Sequence, residues 1–147
     1  ALEDVALATV GHLGLLGEVH INGEERGRHG NYLYGAIGRD FETRDGKRLM
    51  VLAITPKQWR GLLEVSGLTE EMDILAEDLG LDFSIEGERF RARSEICASL
   101  KRWIGEQPFE SVAGLFDQSG VCWEKYQTIR ELAPGRRGRR EPRVAGS

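Results

Sequence analysis

The feature that most constrains this chain is the Asp45-Gly46 pair inside the stretch "IGRDFETRDGKRLMVLAI". An Asp-Gly pair between two strand-like stretches is typical of a β-hairpin, because the tight turn needs the positive φ that these residues adopt at low cost. Apolar residues fill both alternating sets of the stretch 49–54, which predicts a strand covered on both faces and therefore central in its sheet. We predict antiparallel strands at 36–42 and 48–54.

The stretch "TPKQ" directly after the hairpin predicts the start of a helix. Thr55 can cap the helix, Pro56 suits its first position, and Gln58 stands three residues after the cap, as in a capping box. Apolar periodicity and glycine stops predict further helices, and "VCW" predicts a third strand at 121–124. The predicted helices are 56–66, 70–79, 89–104 and 109–118. The expected fold class is α+β, a small antiparallel three-stranded sheet with packed helices.

The opening segment "ALEDVALATVGHLGLLGEV" places apolar residues at helical spacing, which predicts a linker helix over residues 1–19. Gly11, Gly14 and Gly17 each cost about 1 kcal/mol relative to Ala, so we expect this helix to need a partner. A homodimer through the Leu2–Leu16 face would supply one, and packing against the rest of the chain is the alternative. The segment has no starting Met, and we expect it to belong to a longer protein.

Length and charge indicate one acidic domain with a basic end. The chain has 147 residues, 40% of them hydrophobic, which is enough for one core. Five arginines and one glutamate fall in residues 134–147, which leaves 15 basic and 23 acidic residues in 1–133, a formal charge of −8. We predict a small domain over 20–133 and a disordered Arg-rich tail over 134–147. A nucleic-acid arm is a weaker reading of the tail, and the acidic body makes nucleic acid an improbable partner.

The cysteines, the histidines and the absence of a long apolar run exclude several classes of protein. Two cysteines cannot build a disulfide framework, and no apolar run reaches the roughly 20 residues that span a bilayer, so we expect a cytoplasmic protein without a membrane partner. Cys97 and Cys122 are predicted to be inert core residues. His12, His20 and His29 lack the spacing of a metal site, and we expect surface or packing roles for them and no metal.

The order of these signals resembles a known family. The run "NYLYGAIGRDFETRDGKRLMVLAITPKQWRGLLEVSGL" is followed by an Arg-rich helix ending in Trp and then by "AGLFDQSGVCWEKYQTIREL". This order is similar to that of the family III CoA-transferases, also called the CaiB/BaiF family, and the resemblance covers about residues 1–133. The stretches "LYGAIGRDF" and "GVCWEKYQT" look most like the 2-methylfumaryl-CoA isomerase type, with the alpha-methylacyl-CoA racemase type as the alternative.

The resemblance implies that the chain matches the linker helix and the small domain of the family. The substrate would be an acyl-CoA thioester and no bound cofactor is expected. The family's nucleophilic aspartate belongs to a large domain, and nothing in this chain matches its motif, so we expect no activity from the chain alone. The family dimer consists of interlocked rings.

The glycine-spaced aromatic loop before the hairpin is the candidate substrate-binding segment. The family reaction passes through an acyl anhydride, which must be kept from water, and a glycine-containing loop can close over such a site. We predict that the following residues bind the acyl-CoA: Gly30, Asn31, Tyr32, Tyr34, Gly35, Gly38, Arg39 and Asp40. The alternatives are that the tyrosines only cap the sheet and that Arg39 and Asp40 serve cross-strand ion pairs, which are more common.

Two function classes therefore stay open. In the first, the chain is a fragment of a CoA-transferase family III enzyme and supplies the small domain that closes over the acyl-CoA site. In the second, it is a stand-alone small α/β module from a truncated gene that binds a ligand or another protein. A large-domain reading frame upstream of the first residue would favour the first class.

Overall fold

A computed structural model describes residues 1–23 and 25–132. The chain divides into two compact units, one comprising Ala1–Gly30 and the other starting at Asn31. The first unit contains helices α1 (Leu2–His12) and α2 (Leu15–Asn22). The described part of the second unit contains, in chain order, β1 (Ile37–Glu42), β2 (Arg48–Ala53), α3 (Pro56–Ser66), α4 (Thr69–Leu79), α5 (Glu86–Arg91), α6 (Arg93–Gly105), α7 (Phe109–Ser119), β3 (Cys122–Lys125) and α8 (Ile129–Leu132). The α+β fold class is confirmed, and the predicted tail at 134–147 lies outside the described residues.

The first unit differs from the prediction of one continuous helix over residues 1–19. The helix is interrupted before Leu15 because Gly14 adopts a left-handed conformation, with φ of 77°, and becomes the N-cap of α2. Gly23, with φ of 70°, ends α2. Neither helix contains a buried residue. Glycine at these positions is favoured because a residue with a Cβ pays a steric penalty there.

The three strands form one antiparallel sheet in the order β1-β2-β3, so β2 is central as predicted. The Asp45-Gly46 pair forms the turn between β1 and β2, and Gly46 has a φ of 73°. The amide of Thr43 donates to the carbonyl of Lys47 across this turn at 2.9 Å. In the resulting register Phe41 faces Leu49 and Ile37 faces Ala53, which puts the buried residues of both strands on one face.

The core lies between this buried face of the sheet and the helices. Helices α5 and α6 contact β1, α3 contacts β2, and α7 contacts α3. The capping box at the start of α3 is present, because the Thr55 side chain accepts from the Gln58 amide and the Gln58 side chain accepts from the Thr55 amide. The most completely buried apolar side chains are Leu49, Val51, Ala53, Leu62, Met72, Ile96, Leu100, Ile104, Val112 and Phe116.

Two sequence expectations for the second half of the chain are wrong. The helix predicted at 89–104 is two helices, α5 and α6, separated at Ala92. Arg89, in α5, is buried, with only 1% of its surface exposed. Cys97 is buried as predicted, but Cys122 is exposed because it lies on the outer face of the edge strand β3.

Candidate functional site

The segment that precedes β1 folds back along that strand. The Asn31 side-chain amide donates to the Asp40 carboxylate at 3.0 Å, and the Leu33 amide donates to the Gly38 carbonyl at 2.8 Å. Between these two contacts, the Arg39 guanidinium donates to the Tyr32 hydroxyl at 2.7 Å. Three consecutive residues of the segment therefore pair with three consecutive residues of β1. The predicted loop is docked on the sheet.

Gly38 is the position where this docking requires a glycine. A Cβ built on Gly38 would lie 2.6 Å from Cδ2 of Leu52 and 2.8 Å from Cβ of Leu33. Atoms at such distances overlap, so any side chain at this position would push the segment away from β1. Gly30 and Gly35 serve a different purpose, since their φ values of 59° and 83° fall in the left-handed region. Both glycines allow the chain to change direction at the ends of the segment.

Asp40 is engaged in polar contacts on the outer face of the sheet. Its carboxylate lies 3.5 Å from the Arg48 guanidinium on β2, in addition to the Asn31 contact, and its side chain is 11% exposed. Arg48 also approaches Glu42, at 3.9 Å. The cross-strand ion pair considered from the sequence therefore forms through Asp40. This carboxylate is held by two neighbours.

Arg39 lies on the opposite face of β1, which is the face that packs on the helices. Its neighbours on that face are Ile37 and Phe41, both buried, and its partner across the sheet is Val51, also buried. Burying a charge among apolar groups costs free energy unless the charge is paired. Arg39 forms none of the ion pairs found in the described part of the chain, and the cross-strand pair considered for it is absent. Its guanidinium carbon instead lies 4.6 Å from the centre of the Tyr32 ring.

A second arginine, Arg93 at the start of α6, reaches the same aromatic group. Its guanidinium carbon lies 5.7 Å from the centre of the Tyr32 ring and 4.4 Å from that of Phe90. Phe90 also makes an edge contact with Tyr34, with ring centres 5.3 Å apart. We call Tyr32, Tyr34, Arg39, Phe90 and Arg93 the aromatic–arginine cluster. The packing of α5 and α6 on β1 brings Phe90 and Arg93 next to Tyr32, Tyr34 and Arg39.

Sequence reasoning missed the contribution of α5 and α6 to this cluster. Arg93, Cys97 and Lys101 are spaced by four residues, which places them in one stripe along α6. Cys97 was predicted to face the core, so Arg93 and Lys101, on the same face of the helix, must also point toward the sheet. Two cations on a core-facing stripe were the sequence signal for this cluster. A small cavity of about 160 Å³ lies beside this stripe and is lined by Arg39, Asp40, Phe41, Glu42, Arg48, Cys97 and Lys101.

The pKa of the buried Cys97 thiol is affected by burial and by two nearby arginines. Burial raises its pKa to about 11, and the positive charges of Arg39 and Arg93 act in the opposite direction. Because the thiolate is the reactive form, Cys97 is chemically inert near neutral pH. Independently of this pKa, Arg39 and Arg93 both lie near the Tyr32 ring, at 4.6 Å and 5.7 Å from its centre.

Comparison with known proteins decides the family. The family model described as CoA-transferase family III matches residues 2–140. The chain belongs to CoA-transferase family III. It is 51% identical over 131 residues to 2-methylfumaryl-CoA isomerase from Chloroflexus aurantiacus, a match that covers 89% of this chain and 32% of that protein. The chain therefore spans about a third of the length of this curated relative.

Elsewhere in this family III chain, a larger cavity of about 770 Å³ opens between α3, α4 and the loop before α5. Arg89 is one of the residues that line it. The guanidinium donates to the carbonyls of Phe83 at 2.7 Å, Ser84 at 3.1 Å and Ile54 at 3.3 Å, and burial lowers its pKa. It also lies 5.4 Å from the centre of the Trp59 ring. These contacts tie the loop to the end of β2.

Two classes of site have no support in the part of the chain that the structure describes. No group of three or more His, Cys, Asp or Glu residues within 1–23 and 25–132 is arranged to hold a metal ion. His12, for example, uses its Nδ1 atom in a contact with the Ala8 carbonyl at 2.9 Å. Within the same ranges, every helix is too short or too polar to cross a lipid bilayer.

Proposed function

We propose that this chain forms the part of a family III CoA-transferase that closes over the acyl group of an acyl-CoA, and that the intact protein is an isomerase that moves CoA between the two carboxyl groups of a dicarboxylic acid. The observation that carries this proposal is the 51% identity to 2-methylfumaryl-CoA isomerase over 89% of the chain. The proposed substrate class is a monothioester of a dicarboxylic acid.

The proposed reaction begins with a carboxylate nucleophile outside this chain. The carboxylate attacks the thioester carbonyl, the carbon–sulfur bond breaks, and CoA leaves as a thiolate while a mixed anhydride forms. The thiolate then attacks the nucleophile's carbonyl and releases the acyl carboxylate, and the other carboxylate of the acid takes up CoA in the reverse sequence. Because an anhydride hydrolyses readily, the site must exclude water throughout.

The segment from Gly30 to Asp40 is suited to exclude water. Tyr32 and Tyr34 supply bulky rings, and Gly38 allows the segment to lie close to β1. A segment docked in this way presents a fixed surface to the acyl group, and a fixed surface loses little conformational entropy when the substrate binds. We propose that this segment, with Arg39 and Asp40 at its end, contacts the acyl portion of the substrate.

A chimera tests the proposal. This chain replaces the 131 aligned residues of the Chloroflexus aurantiacus enzyme, and the product is assayed with 2-methylfumaryl-CoA by chromatography. We expect isomerisation by the chimera and none by this chain alone, because the chain lacks a match to the family nucleophile. A folded chimera that binds CoA without isomerising the thioester would contradict the proposal. Turnover by the isolated chain that disappears in Asp40→Asn would show that it has its own nucleophile.

We also propose that the apolar residues of the first unit pair with a second copy of the chain. Leu2, Val5 and Leu13 are 91%, 65% and 68% exposed, and Leu16 is 48% exposed. Large apolar side chains grouped on one segment favour association. Light scattering of the purified chain should give the mass of a dimer, and Leu13→Glu with Leu16→Glu should give that of a monomer. An unchanged mass would contradict this interface.

The proposed compartment of this enzyme is the cytoplasm. Cys97 and Cys122 are both free thiols in the structure, which agrees with a reducing environment. Fractionation of cells that express the intact protein, followed by detection with an antibody, would locate it. Recovery in a membrane or secreted fraction would contradict the assignment.

A further inference from the structure

The aromatic–arginine cluster holds two cations that the protein does not neutralise. None of the ion pairs in residues 1–23 and 25–132 includes Arg39 or Arg93. Each guanidinium makes one hydrogen bond to protein within those ranges, Arg39 to the Tyr32 hydroxyl and Arg93 to the Phe90 carbonyl. A guanidinium has five N–H donors, so most donors of both groups have no protein partner in the described ranges.

The surroundings of Arg39 and Arg93 make the lack of an acidic partner energetically costly. Arg39 occupies a position of β1 between two buried apolar residues, and the Nε atom of Arg93 is buried without a hydrogen-bond partner. A buried polar group without a partner costs free energy, so an arrangement of this kind needs a compensating gain. The nearby acids do not provide it, because Asp40 and Glu42 both approach Arg48. An anion bound between the two guanidinium groups would provide it.

The geometry fits a small oxyanion. Both guanidinium carbons lie within 6 Å of the centre of the Tyr32 ring, which places the two cations next to the same side chain. The rings of Tyr32 and Phe90 lie beside the two guanidinium groups, whose other N–H donors can make paired contacts to a carboxylate or phosphate. Arg39, Arg48 and Lys101 line the adjacent cavity of about 160 Å³, together with Asp40 and Glu42, the two acids that approach Arg48.

We propose that Arg39 and Arg93 form an oxyanion-binding site that recognises a charged group of the acyl-CoA substrate. This inference rests on the proposed function for the identity of the ligand. The monothioester of a dicarboxylic acid keeps one free carboxylate, and CoA itself carries phosphate groups, so the shared chemistry is an oxyanion from one of these two sources. A site for the free carboxylate would make Arg39 and Arg93 the residues that select a dicarboxylic acyl group.

The test measures anion binding to the purified chain directly. The arginine Nε–Hε resonances are followed by NMR while 2-methylfumarate is added, and in a separate titration 3′,5′-ADP is added as the nucleotide part of CoA. We expect the signals of Arg39 and Arg93 to move together in one of the two titrations. Shifts with 2-methylfumarate assign the site to the acyl carboxylate, and shifts with the nucleotide assign it to a CoA phosphate. No shift of either signal in both titrations overturns the proposal.

Matched variants separate binding from folding. Arg39→Gln and Arg93→Gln should each weaken anion binding by about tenfold or more, whereas Arg93→Lys keeps the charge and should lose less. Arg60→Gln, an exposed arginine of α3, should bind as the parent does. If a glutamine variant fails to fold by circular dichroism, the lysine variant and the parent titration still decide the matter. Equal affinity in the parent and in folded Arg39→Gln or Arg93→Gln overturns the site.

The chimera described above separates this inference from the proposed function. An active chimera whose rate and KM do not change in Arg39→Gln and Arg93→Gln, together with no anion binding by the chain, would contradict the oxyanion site and leave the isomerase function standing. Arginine-dependent anion binding by the chain with a folded but inactive chimera would support the site and contradict the function.

Discussion

Two arginine environments in this chain differ in the groups that surround the guanidinium. Arg89 is 1% exposed, and three backbone carbonyls accept hydrogen bonds from its guanidinium. Arg39 and Arg93 are only partly buried and rest on aromatic rings, each with one hydrogen bond to protein in the described ranges. Arg89 also lies near a ring, that of Trp59, and its Nε atom has no partner, so the difference is the number of backbone carbonyls that each guanidinium reaches. The comparison teaches that an arginine bound to several carbonyls supports the fold, whereas Arg39 and Arg93 keep more donors for a ligand.

The same comparison explains why these sites occur in different places. The carbonyls around Arg89 come from the loop before α5 and from the end of β2, where no strand or helix supplies partners. Arg89 therefore replaces missing backbone donors. Arg39 lies in a regular strand, and its guanidinium donates to a side chain, the Tyr32 hydroxyl. Arg93 is the first residue of α6 and reaches a single backbone carbonyl, that of Phe90.

Removing Arg89 should produce the largest effect. Arg89→Leu leaves the carbonyls of Phe83, Ser84 and Ile54 without their donor, and we expect a loss of about 2–4 kcal/mol in the free energy of unfolding. Urea denaturation measures this. Arg60→Leu is the matched control, because Arg60 is exposed at the same cavity and should change stability by less than about 0.5 kcal/mol. Equal stabilities of the two variants would show that apolar contacts alone hold the loop.

Adding a methyl group at Gly38 tests whether the segment 31–33 is held against β1. Gly38→Ala should destabilise the protein by about 1–3 kcal/mol, because the new Cβ overlaps Leu52 and Leu33. Gly87→Ala, in α5, meets no atom within 4 Å and should be neutral or stabilising by up to about 1 kcal/mol. Thermal and urea unfolding of both variants measure the difference. A Gly38→Ala protein as stable as Gly87→Ala would mean that the segment is not docked.

The smallest expected effect concerns Asp45, at the hairpin turn. Like Arg89, this charged side chain is hydrogen-bonded mainly by neighbouring polar groups of the protein, but it lies nearer the surface. Hydrogen bonds from the Thr43 hydroxyl, at 2.7 Å, and from the Phe109 amide, at 2.9 Å, lower the pKa of Asp45 from 3.8 to about 2. The folded pKa is below the unfolded value, so this contribution to stability is present above pH 3.8 and is lost as the pH falls through about 2.

Unfolding experiments at pH 7 and pH 2 check this pH dependence. Asp45→Asn should remove that part of the acid sensitivity, since the amide does not titrate. Thr43→Val keeps the carboxylate but removes its first donor, so it should reduce the acid sensitivity in the same direction. An acid sensitivity that is the same in the parent and in Asp45→Asn would show that Asp45 does not link the hairpin to α7.

The local parts of the fold could be predicted because they depend on neighbouring residues. The turn at Asp45-Gly46, the capping box from Thr55 to Gln58 and the central position of β2 are all confirmed. The two helix breaks, at Gly14 and Ala92, were not predicted. The helical spacing of apolar residues continues across both positions, so the sequence pattern predicts one helix where the structure has two. Cys122 was wrongly predicted to be buried, because a strand as short as β3 has too few residues to show which of its faces is covered.

The candidate site was predictable only in part, for the same physical reason. The aromatic and glycine composition of residues 30–40 predicted a loop before the hairpin that closes over a ligand, and the family resemblance implied that the ligand is an acyl-CoA. That the segment is docked on β1 was decided by the tertiary structure. The tertiary structure alone decided that Asp40 pairs with Arg48 while Arg39 turns to the opposite face of β1. It also decided that Arg93 meets Arg39 at the Tyr32 ring, because α6 packs on β1. Contacts within a few residues follow from covalent geometry, whereas a meeting of distant residues depends on how whole elements bury their apolar faces.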